Sequence, residues 1–286
     1  MKVYELITNK IIEKLNQGVI PWQKPWKGTG LPKNLITKKL YRGINAFMLH
    51  MQGYGLPYWL TFRQVKELKG CVKQGEKATP IIYWNWHKAV IHELEEEIEK
   101  LTPFLRYYNV FNIEQCEGLN IEIPEENKSN FNPISECEKV VRELPNPPII
   151  KHGEAQAYYA PTTDVINMPR PSLFKNEQEY YCALYHEIIH STGHQKRLNR
   201  KAVAELDSFK LNARKEYSKE ELIAEIGASF LCGYTGIDNK TIDNSASYIQ
   251  NWLDKLDNDK RLIIIAAAQA QRAVDYVLNR KEIQND

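Results

Sequence analysis

Apolar residues recur on a helical period at Leu6, Ile7, Ile11, Ile12 and Leu15, and Gly18 follows where a helix would stop. Residues 3–15 are therefore predicted as an amphipathic helix. The next apolar stretch, IPWQKPW over 20–26, cannot continue as a helix, because its two prolines forbid a helix interior and hold the tryptophans in an extended segment. Residues 27–39 read as a basic loop and 43–52 as a short helix. The pattern LTFRQVKEL over 60–68 predicts another helix with Thr61 as its N-cap. A turn at 75–77 precedes a β-branched and aromatic run over 78–86, predicted as a strand. Residues 101–113 resume that character and are expected to pair with it across an acidic connection at 93–100.

Beyond this the pattern changes. Residues 117–131, with Pro124, four acids and three asparagines, have the composition of a linker. Helices are predicted over 135–143, 176–191 (ending at Gly193), 218–231, 245–256 and 261–279, with short strands at 149–150, 157–160 and 165–168. The expected fold class is α+β in two domains: a small basic α+β domain over 1–116, the linker 117–131, and a helix-rich domain over 132–286.

Composition adds three limits. With 43% hydrophobic and 26% charged residues, the chain is an ordinary globular protein. No stretch approaches the roughly 18 uninterrupted apolar residues of a spanning helix, and the first fifteen residues carry charges throughout, so no membrane association and a cytoplasmic location are expected. The five cysteines are far apart and form no CxxC pair, which argues against a disulfide framework or a cysteine metal site and for scattered thiols in a reducing compartment.

The formal net charge of +2 conceals an asymmetry. Residues 1–92 hold 13 Lys and 2 Arg against 4 Glu and no Asp, a net of +11, so the remainder carries 2 − 11 = −9. The basic part also holds five of the six tryptophans, Trp22, Trp26, Trp59, Trp84 and Trp86. Cations interleaved with rings suit single-stranded nucleic acid, whose phosphates attract the cations and whose unpaired bases stack on the rings. The candidate DNA-binding residues are Trp22, Lys24, Trp26, Lys27, Tyr41, Arg42, Asn45, Trp59, Arg63, Lys73 and Lys77, although a small domain must also spend many of its aromatics in its core.

The strongest chemical motif stands in the long helix predicted at 176–191: His186, Glu187, Ile188, Ile189, His190, an HExxH. Two histidines four apart lie on one helix face, about 6 Å apart along the axis, and can converge on one ion, while Glu187 is placed to act as general base toward a water held there. Two His and a Glu would suit Zn2+ and leave a fourth position open. Another divalent metal such as Mn2+ is also compatible. The implied reaction is peptide-bond hydrolysis, with Tyr217, Arg197 and Tyr234 as unranked candidates to stabilise an oxyanion. Tyr158 to Pro161 with 165–169 offers either an edge strand for an extended substrate or an ordinary hairpin.

The third ligand has three candidates. Glu221 and Glu225 share one face of the predicted helix 218–231, with Glu221 the preferred ligand and Glu225 a partner orienting His186 or His190. Ser218 and Glu221 also fit a capping box, which would leave the ligand role to Glu225. His194 lies about 12 Å along an unbroken helix from His186 and would need Gly193 to redirect the chain.

PWxKPW at 21–26, Asn34, Thr37, Tyr41-Arg42-Gly43-Ile44-Asn45, Trp59-x-Thr61-Phe62-x-Gln64 and Gly75-Glu76-Lys77 resemble the N-terminal domain of ArdC-type antirestriction proteins, also found on TraC-type primases. HEIIHSTGH and EELIAEIGASFL resemble their C-terminal zincin-like metallopeptidase domain. One departure is Thr37-Lys38, where the family usually has Thr-Gly. The resemblance implies a protein of plasmids or other mobile elements that binds single-stranded DNA and a divalent metal and accompanies or protects incoming DNA against host restriction. Two roles for the metal domain stay open, cleavage of a host protein or a structural module on a DNA-coating protein.

Overall fold

The computed structural model describes residues 3–22, 31–93, 96–120, 133–200, 203, 213–237 and 246–280. The first helix, α1 (Val3–Asn16), buries Ile7, Ile11 and Leu15 along its apolar stripe. A two-residue strand β1 (Lys33–Asn34) leads to α2 (Ile44–His50), then β2 (Tyr58–Thr61) and α3 (Phe62–Glu67). Thr61 caps α3 as expected: its side chain accepts from Gln64 N while the Gln64 side chain accepts from Thr61 N. The predicted helix from residue 60 thus begins two positions later, and Leu60 and Thr61 belong to the strand that feeds it.

Strands β3 (Cys71–Val72) and β6 (Cys116–Glu117) pair by themselves, flanking the long hairpin β4 (Thr79–Glu93) and β5 (Glu96–Asn112). The two predicted strands do pair, antiparallel, from Thr79↔Val110 to Glu93↔Glu96. They differ from expectation in length: Glu93 and residues 96–100 of the acidic run expected as a connection are strand, each with a partner across the ladder, such as Val90 for Glu99. The sheet order is β1-β2-β5-β4.

The remainder starts with α4 (Pro133–Arg142) and a three-stranded sheet of β7 (Ile149–His152), β8 (Tyr158–Ala160) and β9 (Val165–Met168), ordered β7-β9-β8 with β8 and β9 antiparallel. Helices α5 (Glu177–Thr192), α6 (Ala213–Thr235), α7 (Ala246–Asn258) and α8 (Leu262–Val277) complete the α+β architecture. No described helix is long and apolar enough to cross a membrane.

One hydrophobic core runs through both parts of the chain. It joins Ile7, Ile11, Leu15, Trp22, Phe47 and Ile82 to Leu184, Ile188, Phe230, Trp252 and Ile263. Trp22 shows why: it stacks on Phe47 at 6.3 Å and meets Trp252 edge-on at 5.6 Å. The basic part alone supplies only two small clusters, around Leu60 and around Trp59, so α1 and α2 bury their apolar faces against α7 and α8 instead. A buried tie reinforces this junction. Arg42 is ion-paired with Asp275, and Gly43 N donates to Gln271 at 2.9 Å.

The turn with Thr37-Lys38 retains a glycine-like shape without a glycine. Lys38 has φ +58°, and Asn34 holds the turn by accepting from Ile36 N at 3.1 Å and Thr37 N at 2.9 Å.

Candidate metal centre

Helix α5 starts where Asn176 accepts from Glu179 N at 2.9 Å, with Glu177 and Glu179 in its first turn. It ends at Gly193, where any side chain would collide: a Cβ there would lie 2.2 Å from Val203 Cγ2. Between these limits the helix turns Tyr185, Ile188 and Ile189 into the core and leaves His186 and His190 on one side.

Helix α6 supplies what faces them. At Gly227 a Cβ would lie 2.9 Å from three atoms of the Ile189 side chain, so α5 and α6 approach as closely as a missing side chain permits. Six residues earlier, about 9 Å back along α6, stands Glu221. The ring nitrogens His186 Nε2 and His190 Nε2 are 3.1 Å apart, His186 Nε2 is 3.5 Å from Glu221 Oε2, and His190 Nε2 is 3.4 Å from Glu221 Oε1. Donors about 2.0–2.1 Å from a tetrahedral ion lie about 3.3 Å from one another, so these three already have the spacing of ligands. Among the described residues they form the group of this kind, all donor atoms within 4.8 Å.

The cluster has a floor and a mouth. The His190 side chain is 6% exposed, whereas His186 and Glu221 are 17% and 26% exposed, so a further ligand would approach from their side. Burial alone would depress both imidazoles, but the neighbouring carboxylates of Glu220 and Glu221 outweigh it and push His190 up to about 10; His186 is also raised, chiefly by Glu221. Burial likewise opposes ionisation of Glu221, yet hydrogen bonds from the two histidines hold it well below the usual carboxylate range. An ion entering here displaces protons from the imidazoles, so its affinity falls as pH falls. Glu187, buried beside His186, adds its negative charge to the field on both rings.

A residue absent from the sequence reading completes the centre. Glu220, fully buried, stands 3.4 Å from His190 Nδ1, the nitrogen not facing the cluster. Arg200 holds that carboxylate from the other side at 3.0 and 2.5 Å while donating to Ile189 O at 2.8 Å and Thr192 Oγ1 at 2.7 Å. Guanidinium, carboxylate and imidazole thus stand in line behind the cluster, at the end of α5. Glu225, expected in this role, is felt as charge by His186, but the contact with His190 belongs to Glu220. The sequence offered a single signal for it: an acid adjacent to Glu221 on a helix otherwise turned inward.

The other sequence candidates lie elsewhere. Helix α6 begins at Ala213, so Ser218 lies within it and cannot be an N-cap for Glu221. His194 faces away from the cluster, accepting from Lys196 N at 3.2 Å and lying 3.9 Å from Asp164. Arg197 is bound by Asp164, Tyr159, Ser191 O and Asn146 O, which leaves it a structural tie. Tyr234 lies under Arg280 at 4.9 Å, and the Tyr217 side chain lies outside the described residues.

Of the eleven residues expected to meet DNA, the eight that are described are not brought together on one surface. Trp22 and Trp59 are 1% and 2% exposed and have no face to offer a base. Asn45 clamps the edge of β4, donating to Ile82 O and accepting from Ile82 N, each at 2.7 Å. Arg42 is committed to Asp275, and burial raises the partly covered Tyr41. Arg63, Lys73 and Lys77 are exposed, with Arg63 paired to Glu67 and Lys73 donating to Glu114 O. Lys24, Trp26 and Lys27 lie outside the described residues. The rings that do face solvent are others, Phe62, Tyr83, Tyr107 and Tyr108, each about half exposed.

Known proteins share this layout. Residues 1–111 match the N-terminal domain of anti-restriction factor ArdC, and residues 138–269 match a zincin-like metallopeptidase. A DNA primase TraC of Escherichia coli is 33% identical over 304 residues, covering 98% of this chain but 28% of the primase, so the chain spans under a third of that relative. The crystal structure of the antirestriction ArdC protein from the R388 plasmid, metal-free, superposes with a TM-score of 0.76 at 34% identity, covering 99% of this chain and 100% of that one. Its Mn(II)-bound structure gives 0.73 at 35% identity, with 98% of each chain covered.

Proposed function

Since the chain belongs to the ArdC antirestriction family, we propose that it binds single-stranded DNA through its basic N-terminal part and hydrolyses a peptide bond at the His186–His190–Glu221 centre. The observation that carries the catalytic half is the spacing of the three donors, 3.1 to 3.5 Å, in a cluster open on one side. A divalent ion there, zinc by donor type or manganese as in the R388 relative, supplies Lewis-acid polarisation of a carbonyl and of water. Glu187 takes the proton of the attacking water on its carboxylate and delivers it to the departing amide nitrogen. Arg200 and Glu220 hold the His190 ring so that its Nε2 stays aimed at the cluster.

A metal serving only to staple the fold is disfavoured by the large core beneath the site, which needs no ion to be buried. The relative's two crystal structures, with and without Mn(II), support the same reversible use. Set in the cytoplasm of a cell receiving a mobile element, such a protein would be concentrated on incoming single strands and would act on a host protein nearby.

The test uses Glu187→Gln. The variant should bind Mn2+ or Zn2+ within about threefold of wild type in calorimetry, yet lose at least about a thousandfold of turnover on a proteome-derived peptide library read by mass spectrometry. No cleavage by metal-loaded wild type, or equal cleavage by the variant, overturns the enzymatic reading.

A further inference from the structure

The ladder between β4 and β5 puts four side chains together at the inner end of the hairpin. Tyr83 is directly opposite Arg106, and two residues along Ile81 is opposite Tyr108. Directly paired residues of an antiparallel ladder, and those two positions on, point to the same face. Tyr83, Arg106, Ile81 and Tyr108 therefore form one square. Tyr83 and Tyr108 are 47% and 48% exposed, and Arg106 is exposed too. Their ring centroids are 6.4 Å apart with planes at 67°, an edge-to-face contact in which the rings are not stacked on each other.

The square is held rigidly from behind. On the opposite face Ile82 is buried in the main core, and Asn45 fixes its backbone with two hydrogen bonds. On the same face the row continues inward through Ile81 and Val110 to Trp59 and Tyr54, whose rings meet at 5.6 Å. The exposed tyrosines thus end a packed aromatic row, and ordering them on binding costs little. The row Tyr83, Arg106, Ile81, Tyr108, Thr79, Val110, Thr61 carries a cation and no carboxylate, and residues 1–116, which include it, have a net charge of 11 − 4 = +7, since residues 93–116 add six Glu against one Lys and one Arg.

We infer that Tyr83 and Tyr108, with Arg106 between them, are the platform on which unpaired bases of a single strand stack. This rests on the single-strand-binding reading above and moves its ring contacts from the buried tryptophans to the hairpin. A ring half exposed on a rigid strand offers one face to a base of any sequence, and the guanidinium beside it takes a phosphate or stacks in turn. A second copy of this chain would also be drawn to exposed rings, but a cation between them, in a part of the chain that is net positive over residues 1–116, repels an identical patch and attracts a polyanion.

The experiment measures binding of the full chain to a fluorescent single-stranded oligodeoxynucleotide of mixed sequence, by anisotropy at two salt concentrations. Tyr83→Ala or Tyr108→Ala should each weaken binding about tenfold, which is about 1.4 kcal/mol, and Tyr→Phe at either site should restore it. Arg106→Gln should lower the slope of log affinity against log salt by about one. An unchanged melting midpoint confirms that the exposed substitutions leave the fold intact. If the double Ala variant binds like wild type while wild type binds in a salt-dependent way, the platform is wrong and the single-strand reading survives. If wild type itself does not bind, that reading falls and the platform with it. A change of sedimentation mass without a change in DNA affinity makes the patch a self-association surface and overturns the inference.

Discussion

The metal centre and the basic segment assemble their side chains by opposite routes. In the centre, His186 and His190 are one helical turn apart and Glu221 sits on the adjoining helix, all set by the period of α5 and α6 and by the contact at Gly227. In the basic segment, the exposed rings meet because β4 and β5 fall into one register, which pairs residues as remote in sequence as Thr79 and Val110. Burial divides them as well. The three donors are mostly covered and stand beside buried charges, whereas the proposed base platform is about half exposed. The difference is that the three donors are brought together by the periods of two packed helices, whereas the exposed rings are brought together by the register of two strands.

The sharpest way to break this contrast is to remove one charge from each region. Arg200, 9% exposed, is bound to the fully buried Glu220, and Arg200→Met strands that carboxylate in the core. A loss of about 3–5 kcal/mol in urea unfolding is expected, with metal affinity down about 10–100-fold as the His190 ring loosens. Arg63 is paired with Glu67 at 2.8 Å but is 88% exposed. Arg63→Ala should cost less than about 0.5 kcal/mol. Equal losses would mean that the centre is not held by buried charge at all.

Arg42 tests the seam between the regions. Its pair with Asp275, 4% exposed, and the Gly43 N bond to Gln271 at 2.9 Å fasten the start of α2 to α8, and within α8 Gln271 also donates to Asp275 at 3.1 Å. Arg42→Ala is expected to destabilise the whole chain by about 1–2 kcal/mol, discounted because Arg42 is 23% exposed and Gln271 remains, and to leave single-strand affinity within about threefold. A large loss of affinity with no loss of stability would return Arg42 to the phosphate-binding role that its place in a basic stretch suggests.

What could be read from the sequence follows the same division. HExxH was legible because both histidines obey one local period, and Glu221 because it lies on a second helix with an apolar back. Its alternatives stayed open because the start of α6 was placed at Ser218; the charged run from Ala213 carries no apolar period, though its Arg, Lys and Glu favour a helix. Glu220 was hidden because its value lies in Arg200 and His190, neither near it in sequence. The tryptophans misled for a physical reason. They are the largest apolar groups in a part short of aliphatic core, so Trp22 and Trp59 are buried, together with Tyr58, while Tyr83, Tyr107 and Tyr108 stay outside. Short strands such as β1, β3 and β6 are too brief for alternation to register.

Lys38 is the finest probe of the two regions' different demands. Its backbone sits at φ +58°, where a residue with a Cβ is strained by roughly 1–2 kcal/mol and a glycine is not. A glycine here would relieve the strain while giving back about 0.4–1 kcal/mol to the more flexible unfolded chain. The lysine also loses a weak partner when replaced, since its Nζ lies 5.6 Å from the Tyr58 ring. Lys38→Gly should therefore raise stability by only about 0.5 kcal/mol in urea unfolding. A strained residue kept where a relaxed one fits points to use of its side chain, and the use open to an exposed cation in this segment is phosphate attraction. The same variant should weaken single-strand binding slightly and lower the salt slope by up to about one. If stability rises and both binding quantities stay unchanged, the charge at Lys38 serves no polyanion, and the positive balance of the basic segment has to be explained by its other cations alone.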